Sequence, residues 1–213
     1  MNDERSTTMT EEFDASYWEH RYRTHPASRQ PLPGPQLTAE TDALAPGRAL
    51  DAGCGEGADA VWLASRGWRV TAVDVSPTAL ERAREHAASA LDEAQAHRID
   101  WVEADLTSWA PPERRFDLVT TAYVHAGSAP AELYARLAAA VAPGGSLLVV
   151  GHHPADEHTA PLSAEHVHFT AGEIAAVLDT AWEVVTAEER TRRSDSHGGA
   201  TLHDAVLRAR RLP

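Results

Sequence analysis

A glycine-rich turn between two short apolar runs is the feature that most restricts how this chain can fold. Residues 48–57 read Arg-Ala-Leu-Asp-Ala-Gly-Cys-Gly-Glu-Gly, so an apolar run ends at a turn that contains three glycines. Apolar side chains then repeat at helical spacing as far as Gly67, and a second apolar run ends at Asp74. Ser76 and Pro77 suit the N-cap and first turn of a further helix. The segment therefore predicts a βαβ unit with an acidic residue at the end of its second strand.

The spacing of the three glycines indicates the kind of ligand. Gly53, Gly55 and Gly57 have no Cβ, so the backbone can turn sharply and approach a ligand closely, with helix N–H groups facing its polar end. A dinucleotide site has the pattern Gly-x-Gly-x-x-Gly, whereas this turn is Gly-x-Gly-x-Gly and follows Asp51. A carboxylate at that place suits an ammonium group better than a pyrophosphate. Asp74 could bind both ribose hydroxyls. The pattern thus predicts a nucleoside ligand that carries a cationic amino group.

The same residues resemble a known family of enzymes. The motif Asp51-Ala-Gly-Cys-Gly-Glu-Gly57, together with Asp74, looks like the first two motifs of class I S-adenosylmethionine-dependent methyltransferases. The segments Tyr17-Trp18, Val73-Asp-Val-Ser-Pro77 and Pro143-Gly-Gly145 resemble the small bacterial proteins of the tellurite-resistance and thiopurine S-methyltransferase branch. The resemblance implies S-adenosyl-L-methionine as the cofactor and S-adenosyl-L-homocysteine as the product.

The resemblance also implies a fold and a set of cofactor-binding residues. The fold is α/β, with a Rossmann-like, doubly wound sheet of seven strands, mostly parallel with an antiparallel last strand, and helices on both faces. In the family, the acid that matches Asp105 accepts a hydrogen bond from the adenine amine, although the residues alone fit a turn or N-cap acid equally well. An N-terminal helix covers the cofactor in the family, although a surface helix with an aromatic stripe has the same pattern. The candidate cofactor-binding residues are Tyr17, Trp18, Asp51, Gly53, Cys54, Gly55, Gly57, Asp74, Val75, Ser76, Asp105, Leu106 and Thr121.

Histidine is concentrated in the second half of the chain. Eight of the twelve histidines follow residue 120, namely His125, His152, His153, His158, His166, His168, His197 and His203. His125 follows the predicted fourth strand, and His152 and His153 follow the fifth, so these three should face the edge at which ligands of α/β sheets bind. An imidazole there could take a proton from the acceptor, and we name these three as candidate catalytic residues. Zinc or nickel could bind imidazoles too, but residues scattered over three loops lack the usual short spacing, so we predict no metal site.

Composition restricts the partners and the compartment. The net charge is −13, and all 19 basic residues are arginines, which makes nucleic acid a poor partner. The sequence has neither an apolar run long enough to span a bilayer nor a secretory signal, so we expect a cytoplasmic protein without a membrane partner. A single cysteine excludes an internal disulfide. The length predicts one domain over 10–213, and the polar residues at 1–9 predict a disordered tail. The resemblance implies an N-terminal lid helix within 10–45. We expect a monomer or a homodimer.

The pattern of apolar residues also predicts the bounds of several elements. It favours one helix from Pro77 to about Gln95 and no regular structure over 152–169, a length that suggests a lid loop. The remaining predicted elements are a helix over 37–44, a fifth strand over 146–150, and two last strands over 182–187 and 204–208 that a loop at 191–201 joins.

These features predict methyl transfer from S-adenosylmethionine to a small-molecule acceptor by in-line displacement. A thiol or another soft nucleophile is favoured by the resemblance. One alternative is an oxygen or nitrogen of a natural-product ring with a histidine as general base, and another is a histidine-rich metal- or ligand-binding protein on the same fold. The acceptor stays open because a sulfonium methyl group is already activated, so the protein has only to align the acceptor, exclude water and remove a proton.

Overall fold

A computed structural model describes residues 13–28, 31–125, 130–156, 168–194 and 199–213. The predicted tail at 1–9 and three of the histidines in the second half of the chain, His158, His166 and His197, lie outside these ranges. In the ranges given, no helix is both long enough and apolar enough to cross a bilayer. The domain bounds stay a prediction.

The centre of the fold is a seven-stranded sheet with the strand order β3-β2-β1-β4-β5-β7-β6. β7 pairs antiparallel with both of its neighbours, β5 and β6, whereas the pairs among β1 to β5 are parallel. This arrangement confirms the predicted sheet and its antiparallel last strand. The strands are β1 (Arg48–Ala52), β2 (Arg69–Asp74), β3 (Ile99–Glu103), β4 (Phe116–Ala122), β5 (Val141–His152), β6 (Trp182–Ser194) and β7 (Ala200–Arg211).

Helices cover both faces of this sheet. They are α1 (Ala15–Thr24), α2 (Pro35–Thr41), α3 (Ala58–Ser65), α4 (Pro77–Ala90), α5 (Glu93–Ala96), α6 (Pro130–Ala140) and α7 (Ala171–Ala175). Neighbouring residues of β1 belong to different clusters of buried apolar side chains, because side chains of a strand alternate between its two faces. Ala49 packs with Leu63 of α3 on one face, while Leu50 packs with Leu137 of α6 on the other.

Several predicted boundaries were wrong, for identifiable local reasons. The helix predicted from Pro77 to Gln95 is two helices, because Leu91 has extended backbone and Asp92 caps α5 in a capping box with Gln95. The predicted loop at 191–201 is mostly strand, since β6 and β7 pair from Trp182 and Arg211 up to Ser194 and Ala200.

Two further elements start earlier than predicted. α2 begins at Pro35, a residue whose fixed φ suits a first helical turn, and it ends at Thr41. β5 begins at Val141, and after an irregularity in its pairing with β4 it runs through to His152.

Candidate active site

Two adjoining cavities lie at the carboxyl ends of the central strands. The larger has a volume of about 590 Å³ and is covered on one side by residues of α1. The smaller, of about 410 Å³, lies beside the glycine turn, and both are lined by Gly53 and Tyr123. Ligands of open α/β sheets bind at this edge. The volumes of the two cavities and their position at this edge make them the candidate site.

The glycine turn has the conformation that its sequence predicts. Gly53 has φ +82° in the left-handed region, and a Cβ at this position would overlap the side chain of Val124. The amides of Gly53 and Cys54 both donate to the carbonyl of Val73, at 2.8 and 2.9 Å. Gly53 therefore brings the backbone against the cavity, whereas Gly55 and Gly57 shape the turn without lining either cavity.

Asp74 connects the end of β2 to the turn. Its Oδ2 accepts from the amide of Gly55 at 2.8 Å, and its Oδ1 accepts from the amide of Ser76 at 2.9 Å. Asp74 and Val75 line the larger cavity. Burial raises the pKa of the Asp74 carboxyl above its ordinary value. Ser76 is fully buried outside the cavity and caps α4, so its part in the site is structural.

Asp51 is a buried carboxylate with an unsatisfied oxygen. It is 3 % exposed and lines the smaller cavity, and among the described residues its Oδ2 has no hydrogen-bond partner. Burial, followed by the charges of Asp59 and Asp74, raises its pKa well above the ordinary value. Burying a carboxylate beside other acids is costly without a counter-charge. The chemistry of this cavity therefore fits the ammonium group of a ligand.

Two other candidates line the cavities with restricted roles. Asp105 lines the larger cavity with Leu106, while its Oδ1 accepts from the amide and the hydroxyl of Thr107 at 2.8 and 2.7 Å. It is thus a turn acid whose carboxylate also borders the cavity. Cys54 lines the smaller cavity, and burial raises the pKa of its thiol well above the ordinary value, which disfavours a reactive thiolate.

The helix α1 covers the larger cavity. It is held there by polar contacts that the sequence pattern does not indicate. Glu19 accepts from the hydroxyls of Ser76 and Thr78 at 2.7 and 2.6 Å, and from the amide of Thr78 at 3.2 Å. Tyr22 lines both cavities, and its hydroxyl lies where a side chain at Gly55 would be. The helical pattern could have indicated Tyr22, one turn after Trp18, but nothing local connects Glu19 with the start of α4.

Two aromatic rings pack on His125, which lies just after β4. One belongs to Trp18 of α1 and the other to Phe13, just before α1. The Trp18 ring is parallel to the imidazole within 9°, at a centroid distance of 5.6 Å, and the Phe13 ring lies 4.9 Å away. Tyr17 meets Phe13 edge-on at 5.0 Å. Both ring nitrogens of His125 lack a hydrogen-bond partner among the described residues. Burial, helped by His152, His168 and Arg21, lowers the pKa of His125 to about 4, so the ring is neutral at neutral pH.

The structure separates the other candidate residues. His152 lines the larger cavity, 6.1 Å from His125 between ring centroids, and burial lowers its pKa. The side chain of His153 does not line the cavity, because its Nδ1 accepts from the amide of Ala155 and lies 3.7 Å from Glu189. Thr121 is buried within β4 and lines neither cavity.

A buried polar network at the far wall was also missed. The Tyr123 hydroxyl donates to Asp204 at 2.9 Å, and the Nε of Arg192 donates to the same carboxylate at 2.9 Å. Gln36 of α2 donates to it as well, at 3.1 Å. Tyr123 has φ +53°, an uncommon conformation for a tyrosine that is found preferentially at functional sites. Arg192 escaped notice because its strand was predicted to be a loop.

The histidines do not form a metal centre in the part of the chain that the structure describes. There, no group of three or more histidine, cysteine or acidic side chains is arranged to hold a metal ion. The imidazoles of His125 and His152 instead border the cavity singly, beside aromatic rings.

Comparison with known proteins identifies the central segment. Residues 49–145 match the family model described as "Methyltransferase domain". The trans-aconitate 2-methyltransferase of Streptomyces coelicolor is 37% identical over 118 residues, which are 53% of this chain and 38% of that protein. The probable thiol methyltransferase 2 of Arabidopsis thaliana is 32% identical over 133 residues, 61% of this chain and 57% of that protein. The chain thus matches between 38% and 57% of the length of these two relatives.

A solved structure extends the likeness of fold to nearly the whole chain. It is described as "Conversion of a Disulfide Bond into a Thioacetal Group during Echinomycin Biosynthesis". The TM-score is 0.74 at 24% identity, with 93% of this chain and 91% of the other covered.

Proposed function

We propose that this chain, whose residues 49–145 match a methyltransferase domain, is a class I S-adenosylmethionine-dependent methyltransferase that transfers the methyl group of S-adenosylmethionine to a small-molecule acceptor in the larger cavity. The observation that carries this proposal is the unpaired Oδ2 of Asp51, buried in a cavity that continues past Gly53 into the larger one. A cofactor with an ammonium group at one end and a nucleoside at the other has the complementary chemistry.

The acids at the strand ends divide the cofactor among them. Asp51 receives the ammonium group, which supplies the counter-charge that its carboxylate lacks in the protein alone. Asp74 binds the ribose hydroxyls with the lone pairs that remain after its two backbone hydrogen bonds. Asp105 and Leu106 border the adenine. Tyr17, Trp18 and Tyr22 of α1 cover the cofactor and exclude water.

The protein has few chemical tasks in the transfer. S-adenosylmethionine supplies a methyl group bound to a cationic sulfur. An acceptor lone pair aligned with the carbon–sulfur bond can take the methyl group, and the sulfur then leaves as a neutral thioether. Tyr123 lines both cavities, so its ring borders the donor and the acceptor alike. His125 is neutral because of its low pKa, so one of its two ring nitrogens is unprotonated and can accept the proton that the acceptor loses. His152 borders the same space and is the second candidate for this role.

The nucleophile of the acceptor is best sought among thiols first. An identity of 32% with a probable thiol methyltransferase supports a soft nucleophile. An acceptor oxygen or ring nitrogen is the second candidate, which is supported by the 37% identity with an enzyme whose name gives trans-aconitate as its acceptor. Unprotonated imidazoles beside the cavity serve either acceptor.

Calorimetry followed by an acceptor screen tests the proposal. We expect S-adenosylmethionine and S-adenosylhomocysteine to bind the purified protein, and a thiol acceptor to increase the release of S-adenosylhomocysteine. A nicotinamide dinucleotide is the control ligand and should give no heat. Folded protein that binds the dinucleotide but neither sulfur compound would contradict the proposal.

A further inference from the structure

The acceptor end of the larger cavity has a cationic corner, formed by Arg21 and Arg192 beside His125 and His152. Both arginines line the cavity. Arg21 has no carboxylate partner among the described residues, in contrast to Arg82, which pairs with Glu56 at 2.9 Å. Arg192 forms an ion pair with the buried Asp204 at 2.9 Å, so among the described residues the charge without a carboxylate partner at this corner is that of Arg21.

Arg192 is held through its Nε, and the Nη edge of its guanidinium is unpaired among the described residues. Its Nε donates to Asp204 at 2.9 Å and to the Tyr123 hydroxyl at 3.2 Å, while its two Nη groups have no hydrogen-bond partner in the described part of the chain. Asp204 is fully buried and also accepts from Tyr123 and Gln36, so it fixes the guanidinium from behind. A planar guanidinium whose Nη groups have no partner among the described residues is a donor that matches a carboxylate.

The acidic residues of the cavity do not compete for this arginine. Each already accepts hydrogen bonds elsewhere: Asp14 from the start of α1, Glu56 from Ser28 and Arg82, Asp74 from Gly55 and Ser76, and Asp105 from Thr107. Burial lowers the pKa of both His125 and His152. Arg21 adds to this effect at His125, and Arg192 adds to it at His152. The two imidazoles are neutral, so they neither add to the positive charge of the arginines nor offset it.

We propose that the acceptor is a small carboxylate compound and that the Nη groups of Arg192 bind its carboxylate. The inference rests on the proposed function and adds the chemical class of the acceptor. The rings of Phe13, Tyr17 and Trp18 face the same cavity and leave an apolar space for the body of the molecule. Arg192 thereby determines specificity, because a neutral analogue would leave its Nη groups unpaired in a partly buried site.

Two acceptors that differ in one carboxylate test the proposal with the wild-type protein. Benzyl mercaptan and para-(mercaptomethyl)benzoate carry the same thiol. We expect kcat/KM, measured by the release of S-adenosylhomocysteine, to be at least about tenfold higher for the carboxylate, a typical effect of a charged hydrogen bond. Equal or reversed values would overturn the proposal.

Variants then assign the preference to Arg192. Arg192→Gln should lower kcat/KM for the carboxylate acceptor by about 10- to 100-fold, mainly through KM, and change that for benzyl mercaptan by less than about threefold. Arg193→Gln is the matched control, because Arg193 is the next residue of β6 and is exposed. An equal loss with both acceptors in Arg192→Gln would mean that the residue only supports the fold.

Binding without turnover keeps the proposal testable if neither thiol is methylated. We expect para-toluate to bind wild-type protein saturated with S-adenosylhomocysteine at least about tenfold more tightly than para-toluamide. Equal affinities, or no binding of para-toluate, would overturn the proposal. Failure of the proposed function would appear separately, as absence of heat when S-adenosylhomocysteine itself is titrated.

Discussion

Asp51 is a residue that we expect to favour binding at the expense of stability. Its folded pKa lies above the ordinary value of about 4, so the folded state binds more protons than the unfolded one and stability falls as pH rises above that value. We predict that ligand-free Asp51→Asn is as stable as the wild type at neutral pH or more stable, by up to about 2 kcal/mol. Its Kd for S-adenosylmethionine should rise about 10- to 100-fold, because an amide has no charge to pair with an ammonium. Urea unfolding and calorimetry measure the two effects.

Asp117 offers a control for this variant at the other edge of the sheet. It lies near the start of β4 and accepts from the amide of Arg48 at 2.8 Å, so Asp117→Asn should leave the affinity for the cofactor unchanged. A similar loss of affinity in both variants would show that Asp51 acts through the fold.

His125 should make the protein sensitive to acid. Its folded pKa is about 4, against an ordinary value of about 6.5, so the unfolded state binds more protons between these values. Stability should fall as pH decreases through that window, by at most about 3 kcal/mol from this residue. The His125→Gln variant should lose less stability on acidification, as measured by urea unfolding at several pH values. The exposed His97 provides the control variant, His97→Gln, which should follow the wild-type curve.

Single residues could be predicted from the sequence where their role depends on their neighbours in the chain. Gly53, Asp51 and Asp74 could be selected because a sharp turn and two strand ends require them within one βαβ unit. His152 and His153 could not be distinguished in that way. β5 ends at His152, which lines the cavity, whereas His153 follows the strand and its ring lies 3.7 Å from Glu189.

At the scale of elements, α1 is held mainly by its polar contacts. None of its residues is buried, and Glu19 connects it to the start of α4. We predict that Glu19→Gln loosens this helix, weakening the binding of S-adenosylhomocysteine about 5- to 30-fold, while global stability changes by less than about 1 kcal/mol. Calorimetry measures the affinity, and cleavage by trypsin after Arg21 and Arg23 should become several times faster.

The exposed Glu81 of α4 gives a matched control, since Glu81→Gln removes the same charge without touching α1. Unchanged affinity and unchanged cleavage in Glu19→Gln would show that α1 stays in place without this contact.

The ends of helices and strands follow local sequence patterns such as capping boxes in some places and depend on tertiary pairing in others. The capping box of Thr170 and Glu173 at the start of α7 follows a local sequence pattern. The equivalent box of Asp92 and Gln95 was missed because the apolar repeat continues across it. β6 was predicted too short because its outer half, up to Ser194, carries charged residues, and only its pairing with β7 makes it a strand.

For the whole molecule, cofactor binding should raise the resistance to unfolding. A ligand at about 100 times its Kd adds about 2.7 kcal/mol, which corresponds to roughly 5–10 °C in Tm for a chain of this size. We expect this shift with S-adenosylhomocysteine in a thermal unfolding experiment. A nicotinamide dinucleotide should give no shift, and Asp51→Asn should give a smaller one at the same concentration. An equal shift in that variant would contradict the assigned role of Asp51.

The sequence by itself determined the βαβ unit, its glycine turn and the strand-end acids, because these depend on backbone geometry within a short segment. Only the tertiary structure decided which distant side chains border the site. Glu19 meets Ser76 across 57 positions and Tyr123 meets Asp204 across 81, through polar contacts that leave no periodic signal in the chain. Such pairs depend on how the sheet brings its strand ends together, and for that reason the glycine turn and its neighbouring acids could be predicted whereas the far wall of the larger cavity could not.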